Sequence, residues 1–372
     1  MKKKIIASML IATSLFTTSM SFAATSNPVA SPLTLDAAWN EAIKNSKNLE
    51  LDKKLMEEYK SEDGKVTSTQ KTKDYSYSQT GQEIVSYPFG KPSSDYEDQI
   101  DSQKASIQNQ EIALKKEVLG HFKTIYGLES QKSIELEDLA QAKKNADIAK
   151  VKLETGTILP HLAQAEINKL KIEENQMSTL EMDIKKAYRD LNRTLGRNLD
   201  TIYPLDITSL VSKVETSGFS FYAPKEAFDF ALKNKEDLLI TQKKLKESGE
   251  DLDRYSKVYS QGHYYYEEKK KTLDNQKYSF DDTKKNLDLE FKTSYQDIMT
   301  SLASLDLAKQ DLDSFQRDYK NKLALYENGK ISQVEFETIK KEAESVKTSY
   351  TNTALDCYSS ILDYQSKYGK LE

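Results

Sequence analysis

The sequence predicts an all-α protein, an elongated antiparallel coiled-coil bundle made of two tandem helical hairpins. Three observations support this fold class. Apolar residues recur at seven-residue spacing through long stretches without proline, a glycine-led break separates two such stretches, and the same arrangement appears again later in the 372-residue chain. Each glycine-led break therefore predicts the tip of a hairpin.

The first hairpin is predicted around the break Gly156-Thr157-Ile158-Leu159-Pro160. Glycine supplies the backbone freedom that ends one helix, and proline suits the first turn of the next, where its missing N–H would have no partner in any case. The seam residues that repeat at heptad spacing are Leu139, Ala142, Ala146, Ala149 and Leu153 before the break and Met177, Leu180, Ile184, Ala187 and Leu191 after it.

Three helices are predicted in the first half of the chain. The first covers about 35–72 and carries Trp39 as a core anchor. After an irregular stretch at 73–92, the second runs over about 94–154, roughly 90 Å at 1.5 Å per residue, whereas the return helix at 160–195 is only about half as long. We therefore expect the first helix to stack end to end with the return helix, so that together they match the long one.

Three segments recur in the same order, which indicates an internal duplication. The opening segment Ala42–Leu49 aligns with Ala231–Leu238, and the first tip aligns with a second tip at Asn328-Gly329-Lys330-Ile331-Ser332. The distance from tip glycine to closing glycine is 40 residues in both halves, from Gly156 to Gly196 and from Gly329 to Gly369. Helices over about 282–327 and 332–368 should flank the second tip.

The N-terminus and the composition predict an exported protein. A basic start, an apolar run from Ile5 to Phe16 and the small-x-small site Ser21-Phe22-Ala23 are typical of a secretory signal peptide over residues 1–23. Without its three lysines, 51 basic and 59 acidic side chains remain, interspersed along predicted helices, which disfavours nucleic-acid binding. The further divisions are a first repeat at 24–196, a linker at 197–223 and a second repeat at 224–372.

The sequence predicts no catalytic, cofactor or metal site. His121, His161 and His263 lie on different predicted segments, and there is no Cys/His cluster, phosphate-binding loop or nucleophile motif. The single cysteine, Cys357, shares heptad register with Tyr364, which predicts a buried seam residue rather than a reactive thiol. We therefore expect a protein that is not an enzyme.

A duplicated unit of helix, interruption, very long helix, glycine tip and return helix resembles the TolC-like outer-membrane efflux family. The resemblance rests on the opening segments that begin at Leu33 and Pro224, on the two tips, and on the closing Leu191-Asn-Arg-Thr-Leu-Gly196. It implies a homotrimer whose hairpins form a twelve-helix tunnel, with tips that meet a membrane-fusion adaptor fed by an inner-membrane pump. The implied function is a passive export conduit in the outer membrane and periplasm.

The resemblance also implies that the tips contact the adaptor. The residues that match the family's glycine-led turn are Gly156, Thr157 and Ile158 in the first half and Gly329, Lys330, Ile331 and Ser332 in the second. Family members commonly carry an acidic residue six positions after the glycine. Glu335 occupies that position in the second half and is a candidate pore constriction or an ordinary solvated helix charge, whereas the first half has Leu162 there.

The interruptions depart from the family pattern. Two membrane β-strands per repeat need more than about 20 suitable residues in each interruption. The first, 73–92, barely has that length, and the second, 262–281, contains Glu267-Glu-Lys-Lys-Lys271, which cannot face lipid without a large cost. We therefore expect the β-barrel strands to be missing or vestigial. The second interruption is then a gap between two helices, a continuous helix or a tight helical turn. If the barrel is absent, the expected location is the extracytoplasmic envelope.

Two alternative functions follow from the same sequence. One is an exported coiled-coil spacer or scaffold protein with no transport activity. The other is a membrane-fusion adaptor, which the duplicated hairpins and the all-helical pattern disfavour because an adaptor normally carries a single hairpin flanked by β-domains.

Overall fold

The computed structural model describes residues 31–70, 92–215 and 221–368. The predicted signal peptide, the first interruption up to residue 91 and Gly369 lie outside these described residues. Within them the chain forms nine α-helices and one isolated β-bridge, which confirms the predicted fold class. The helices are α1 (Leu35–Asn45), α2 (Lys47–Gln70), α3 (Pro92–Glu154), α4 (Pro160–Leu195), α5 (Ile207–Glu215), α6 (Pro224–Asn234), α7 (Glu236–Ser256), α8 (Tyr264–Glu327) and α9 (Gln333–Lys367).

Two antiparallel hairpins, α3–α4 and α8–α9, dominate the molecule. Lys132 on α3 pairs with Glu181 on α4 at 2.9 Å, and Thr194 near the end of α4 donates to Glu117 at 2.8 Å. The second hairpin brings Lys367 of α9 near Glu290 of α8. In each hairpin the two helices therefore stay in contact from the tip to the end of the shorter helix.

The two hairpins join through α3 and α9, which are antiparallel. Lys144 of α3 donates to Gln333 of α9 at 3.3 Å, and Glu137 of α3 pairs with Lys340 of α9 at 2.9 Å. The second pair lies seven residues earlier on α3 and seven residues later on α9. Lys116 pairs with Asp363 at 2.7 Å near the other end of the contact. Because both hairpins turn at the same end of these pairings, the two tips lie at the same end of the bundle.

Helices α1 and α2 cover the part of α3 that α4 does not reach. The Trp39 indole N–H donates to the Glu111 carbonyl at 3.1 Å, and Asn45 at the end of α1 donates to the Leu195 carbonyl at 2.6 Å. The expected end-to-end arrangement is therefore present. The expected single helix is wrong, however, because Ser46 is extended and its hydroxyl accepts from the Leu49 N–H, which starts a new helix.

The duplication is visible in the burial of equivalent side chains. Helix α6 repeats α1, α7 repeats α2, and the break at Ser46 is matched by a break at the extended residue Lys235. Trp39 and its equivalent Phe228 are both half-buried. The buried pairs at matching positions are Ala38 with Ala227, Ala42 with Ala231, and Leu49 with Leu238.

Two segments contain helix beyond the ranges in which helices were predicted. The second interruption is helical from Tyr264 onward, and only the short turn at 257–263 separates α7 from α8, which is the tight-turn alternative. The stretch 264–281 lacks proline and glycine and is rich in Glu and Lys, so its own residues favour helix. The linker also contains a helix, α5, which packs its apolar face against α9.

The core lies in the middle of the long helices and not at the tips. Tyr364 packs edge to face with Phe291, Tyr368 and Phe221, and Tyr368 packs in the same way with Tyr222. Residues 221 and 222 belong to the segment before α6. Cys357 is fully buried, as predicted, and burial raises the pKa of its thiol to about 11. No helix in 31–70, 92–215 or 221–368 has the length and apolar composition needed to cross a membrane.

Candidate functional site

The two hairpin tips share one backbone geometry. Gly156 has φ +68° and its N–H donates to the Leu153 carbonyl, while the next N–H, of Thr157, donates to the Lys152 carbonyl at 2.8 Å. Gly329 has φ +67° and makes the equivalent bond to Tyr326, and Lys330 bonds Leu325. This is the Schellman ending, in which a left-handed residue lets two carbonyls of the last turn find donors.

The side chains that follow the two glycines differ. In the second tip, Ser332 caps α9 by accepting from the Glu335 N–H at 3.1 Å. In the first tip, Leu159 holds the capping position, makes no side-chain cap bond and is 59% exposed. A leucine that neither caps nor packs is unfavourable within the isolated chain, which makes it a candidate contact residue.

The structure brings all seven predicted tip residues to one end of the molecule. Ile158 and Ile331 are half-buried beneath their turns, and the other five are exposed: Gly156, Thr157, Gly329, Lys330 and Ser332. Glu335 is exposed in the first turn of α9, where a carboxylate is favoured by the helix N-terminus. Leu162, its equivalent in the first half, is also exposed.

The first tip extends further than the second. Because Lys144 faces Gln333, Gly329 is level with about residue 148 of α3, so Gly156 projects roughly 10 Å beyond it. Leu153 was expected in the seam, but it is exposed because α9 begins below its level and cannot cover it. The projecting part carries five exposed apolar side chains: Ile148, Val151, Leu153, Leu159 and Leu162.

The four long helices form an open row in the order α4, α3, α9, α8. Contacts connect α4 with α3, α3 with α9 and α9 with α8, whereas α4 and α8 share no substantial interface. Both outer helices therefore keep a face without a long-helix neighbour. We call these faces the α4 flank (Ile172, Met182 and the following Leu199 and Ile202) and the α8 flank (Leu289, Met299 and Leu307), and all seven side chains are at least 49% exposed.

Solved structures share this arrangement. A membrane protein from Pseudomonas aeruginosa matches with a TM-score of 0.56 and 11% identity over 90% of this chain and 92% of its own. CusC matches with 0.55 and 12% over 90% and 95%, and the outer membrane channel CmeC from Campylobacter jejuni with 0.53 and 13% over 90% and 85%. The described residues have the TolC-like fold. The resemblance predicted from the sequence is thereby confirmed at the level of fold.

Sequence comparison adds no relative to the structural ones. No protein-family model matches the chain. No curated protein matches it in sequence either.

Within the TolC-like fold, the three histidines lie far apart in different settings. His121 on α3 contacts the Thr194 hydroxyl at 3.3 Å, His161 is exposed at the first tip, and His263 accepts from the Tyr265 N–H at the start of α8. In the part of the chain that the structure describes, no three His, Cys, Asp or Glu side chains are arranged to hold a metal ion.

A buried lysine in the TolC-like body was missed by the sequence analysis. Lys115 is fully buried, with its ammonium 4.3 Å from the centre of the Trp39 ring, and burial lowers its pKa. The pattern that buries Val118 and Phe122 on α3 also contains position 115, at three and seven residues distance. Helical spacing could therefore have identified Lys115 as a core residue.

Proposed function

We propose that the chain is a subunit of a TolC-like export conduit in the cell envelope. Three copies form a passive tunnel, a membrane-fusion adaptor binds the tips, and an inner-membrane pump supplies the transported molecule. The observation that carries this proposal is the open four-helix row with both tips at one end. An open row with two exposed apolar flanks is incomplete by itself, and copies of it placed side by side enclose a channel.

The heights of the two flanks support assembly by flank-to-flank contact. Cross-helix pairs run from α8 through α9 and α3 to α4 at Lys367–Glu290, Lys116–Asp363 and Lys132–Glu181. Followed across the row, they place Leu307 level with about residue 184 of α4, close to Met182, and Met299 level with about Asn192, whose amide bonds Thr201 next to Ile202. The apolar parts of both flanks therefore lie at the same height.

A contact between the α4 flank of one copy and the α8 flank of the next is heterologous. Such contacts generate a ring when the rotation between copies closes. The number three comes from the resemblance, and the fold is consistent with it because four long helices per copy then give the twelve-helix wall.

The tips are suited to a helical protein partner. Exposed apolar side chains on the projecting first tip offer knobs for the seam of a coiled coil. Around the second tip, Lys330, Ser332 and Glu335 offer polar contacts. We therefore assign Gly156, Thr157, Ile158, Gly329, Lys330, Ile331 and Ser332 to adaptor contact and Glu335 to the entrance of the tunnel.

Assembly can be tested on the purified protein. Sedimentation should give a trimer for the wild type and a monomer for the double variant Met299→Lys, Leu307→Lys, because charges then face the apolar flank of the next copy. Leu51→Lys on α2 is the matched control, since Leu51 is 62% exposed but belongs to neither flank. A monomeric wild type at micromolar concentration would rule out the ring.

Transport is tested separately in cells. Cells that lack the gene should retain more fluorescent dye or drug than the parent, and the wild-type gene should restore efflux while the flank double variant should not. An assembled protein whose loss leaves accumulation unchanged would favour the spacer or scaffold function instead.

Cross-linking tests the tip contact. Single cysteines at Thr157 and Lys330 should cross-link to a co-expressed candidate adaptor, and Cys357 will not interfere because it is buried and its pKa is raised. A cysteine in place of Lys270, an exposed residue on α8 far from the tips, is the control and should capture no adaptor.

A further inference from the structure

The segment that follows α4, residues 196–206, is held against the body by a partly buried polar network. We call it the closing segment. The Tyr203 hydroxyl donates to Asn192 at 2.8 Å, and the Asn192 amide donates to the Thr201 carbonyl at 2.7 Å. Arg197 makes two bonds of 2.6 Å to Glu41 on α1, and the Leu33 N–H donates to the carbonyl of Pro204. The closing segment thus connects α4 to α1 and to the segment that precedes it.

One hydroxyl in this network faces two acceptors. The Tyr188 hydroxyl is 2.7 Å from the Tyr203 carbonyl oxygen and 2.8 Å from Oε1 of Glu129 on α3. Both distances are typical of O–H···O hydrogen bonds. A phenol has a single proton, however, and neither a carbonyl nor an ionised carboxylate can donate. A second proton, held between Glu129 and Tyr188, would give each of the two short contacts its own hydrogen.

We propose that Glu129 is protonated in the folded protein at neutral pH, donates to the Tyr188 oxygen, and acts as a pH-sensitive latch that releases the closing segment when alkaline conditions remove its proton. The chain of donors then runs from Glu129 to Tyr188 to the Tyr203 carbonyl, and every contact has one hydrogen. This inference does not depend on transport or on the assembly of copies.

The surroundings of Glu129 are consistent with a retained proton. Burial of its carboxyl raises the pKa of Glu129, against the opposing effects of the Tyr188 hydrogen bond and of the positive charge of Lys132 on α3. Lys132 is engaged by Glu181 of α4 at 2.9 Å, which offsets its charge. Tyr188 is 1% exposed, and burial raises its pKa, so the phenol keeps its own proton.

The direction of the pH effect follows from the raised pKa of Glu129. A carboxyl with a raised pKa in the folded state stabilises that state at lower pH, and this contribution is lost as the pH rises through the folded pKa. The closing segment should therefore loosen on the alkaline side, whereas a carboxylate in an ordinary ion pair would loosen on the acid side.

Amide hydrogen exchange of residues 197–206 tests the latch. Glu129→Gln mimics the protonated acid because its side-chain amide can donate to Tyr188. In this variant the amide protection of the closing segment should therefore be independent of the ionisation of residue 129. Wild-type protection should match it at pH 6 and fall below it toward pH 9, by up to about tenfold per pH unit. Equal protection of both proteins from pH 6 to pH 9, or a wild-type loss confined to acid pH, would overturn the proposal.

Two further variants keep the result interpretable. Tyr188→Phe removes the shared hydroxyl, so it should loosen the closing segment at every pH and abolish the alkaline difference, even if Glu129→Gln folds poorly. Asp200 of the closing segment has an exposed carboxylate that pairs with Arg189 of α4 at 2.7 Å. Asp200→Asn removes this carboxylate and should retain the wild-type alkaline loosening. Persistence of that loosening in Tyr188→Phe would contradict the latch.

Discussion

The turn at Gly196, which follows the first hairpin, has the same backbone geometry as the turns at the two hairpin tips, but it is enclosed by other residues and the tips are exposed. Gly196, Gly156 and Gly329 have φ values of +69°, +68° and +67°, and the residue after each donates back to a carbonyl of the last helical turn. A Cβ at Gly196 would lie 2.9 Å from the Asn45 side chain, whereas a Cβ at either tip would meet nothing within 4 Å.

The difference separates stability from contact with partners. At Gly196 the turn is enclosed by α1 and carries the Asn45 and Arg197 bonds, so its geometry positions two other segments. At the tips the same motif only reverses the chain, and the side chains around it are free to differ. Leu159 and Ser332, which occupy equivalent places, differ in this way.

The largest effect is expected at the closing turn. Gly196→Ala should lower the free energy of unfolding by about 2 to 4 kcal/mol, since a left-handed alanine costs about 1 to 2 kcal/mol and the clash with Asn45 adds to it. Chemical denaturation measures the change. Gly64→Ala, in the open interior of α2, should instead raise stability by about 0.5 to 1 kcal/mol. A neutral Gly196→Ala would mean that α1 is not fixed against this turn.

The tip glycines should show only the backbone part of that cost. Gly156→Ala and Gly329→Ala should each lower stability by about 1 to 2 kcal/mol, because the strain of φ near +68° remains but no atom is displaced. The two values should agree within about 0.5 kcal/mol when measured by denaturation. A cost at Gly156 that equals the cost at Gly196 would remove the distinction between the two regions.

The sequence predicted the regions where one period or one residue type decides the structure. The return helix at 160–195 and the tips at Gly156 and Gly329 were predicted correctly, because heptad spacing, glycine and proline act locally. The break at Ser46 was missed since the apolar pattern continues past it, and only its repetition at Lys235 identifies it as part of the repeated unit.

The candidate site was less predictable than the fold. The tip positions follow from the glycines, but the greater projection of the first tip depends on the register between α3 and α9, which long-range pairs such as Lys144 with Gln333 determine. The exposure of Leu153 follows from that register and not from its heptad position. The Glu129–Tyr188 contact likewise joins residues 59 positions apart, and no local pattern marks it.

Lys115 offers a smaller test of the body. Lys115→Met should raise the free energy of unfolding by about 1 kcal/mol near neutral pH, because it removes a buried charge and keeps the side-chain volume. The ion pair between Asp36 and Lys213, 2.8 Å apart, remains in this variant. Burial lowers the pKa of Lys115, so the wild type should gain stability as the pH rises toward the ordinary lysine pKa, and the difference should shrink. A difference that widens with pH would contradict burial of the ammonium.

The smallest stability effect is expected at the exposed leucine of the first tip. Leu159→Asn should change the free energy of unfolding by less than about 0.5 kcal/mol, because the side chain is 59% exposed and Asn is a good capping residue for α4. Leu180→Asn on the same helix, where the leucine is 5% exposed, should lose several kcal/mol by the same measurement. If Leu159→Asn nevertheless abolishes dye efflux in cells while the protein remains assembled, the tip acts through a partner and not through the fold. Unchanged efflux would instead mean that Leu159 does not take part in the contact with the adaptor.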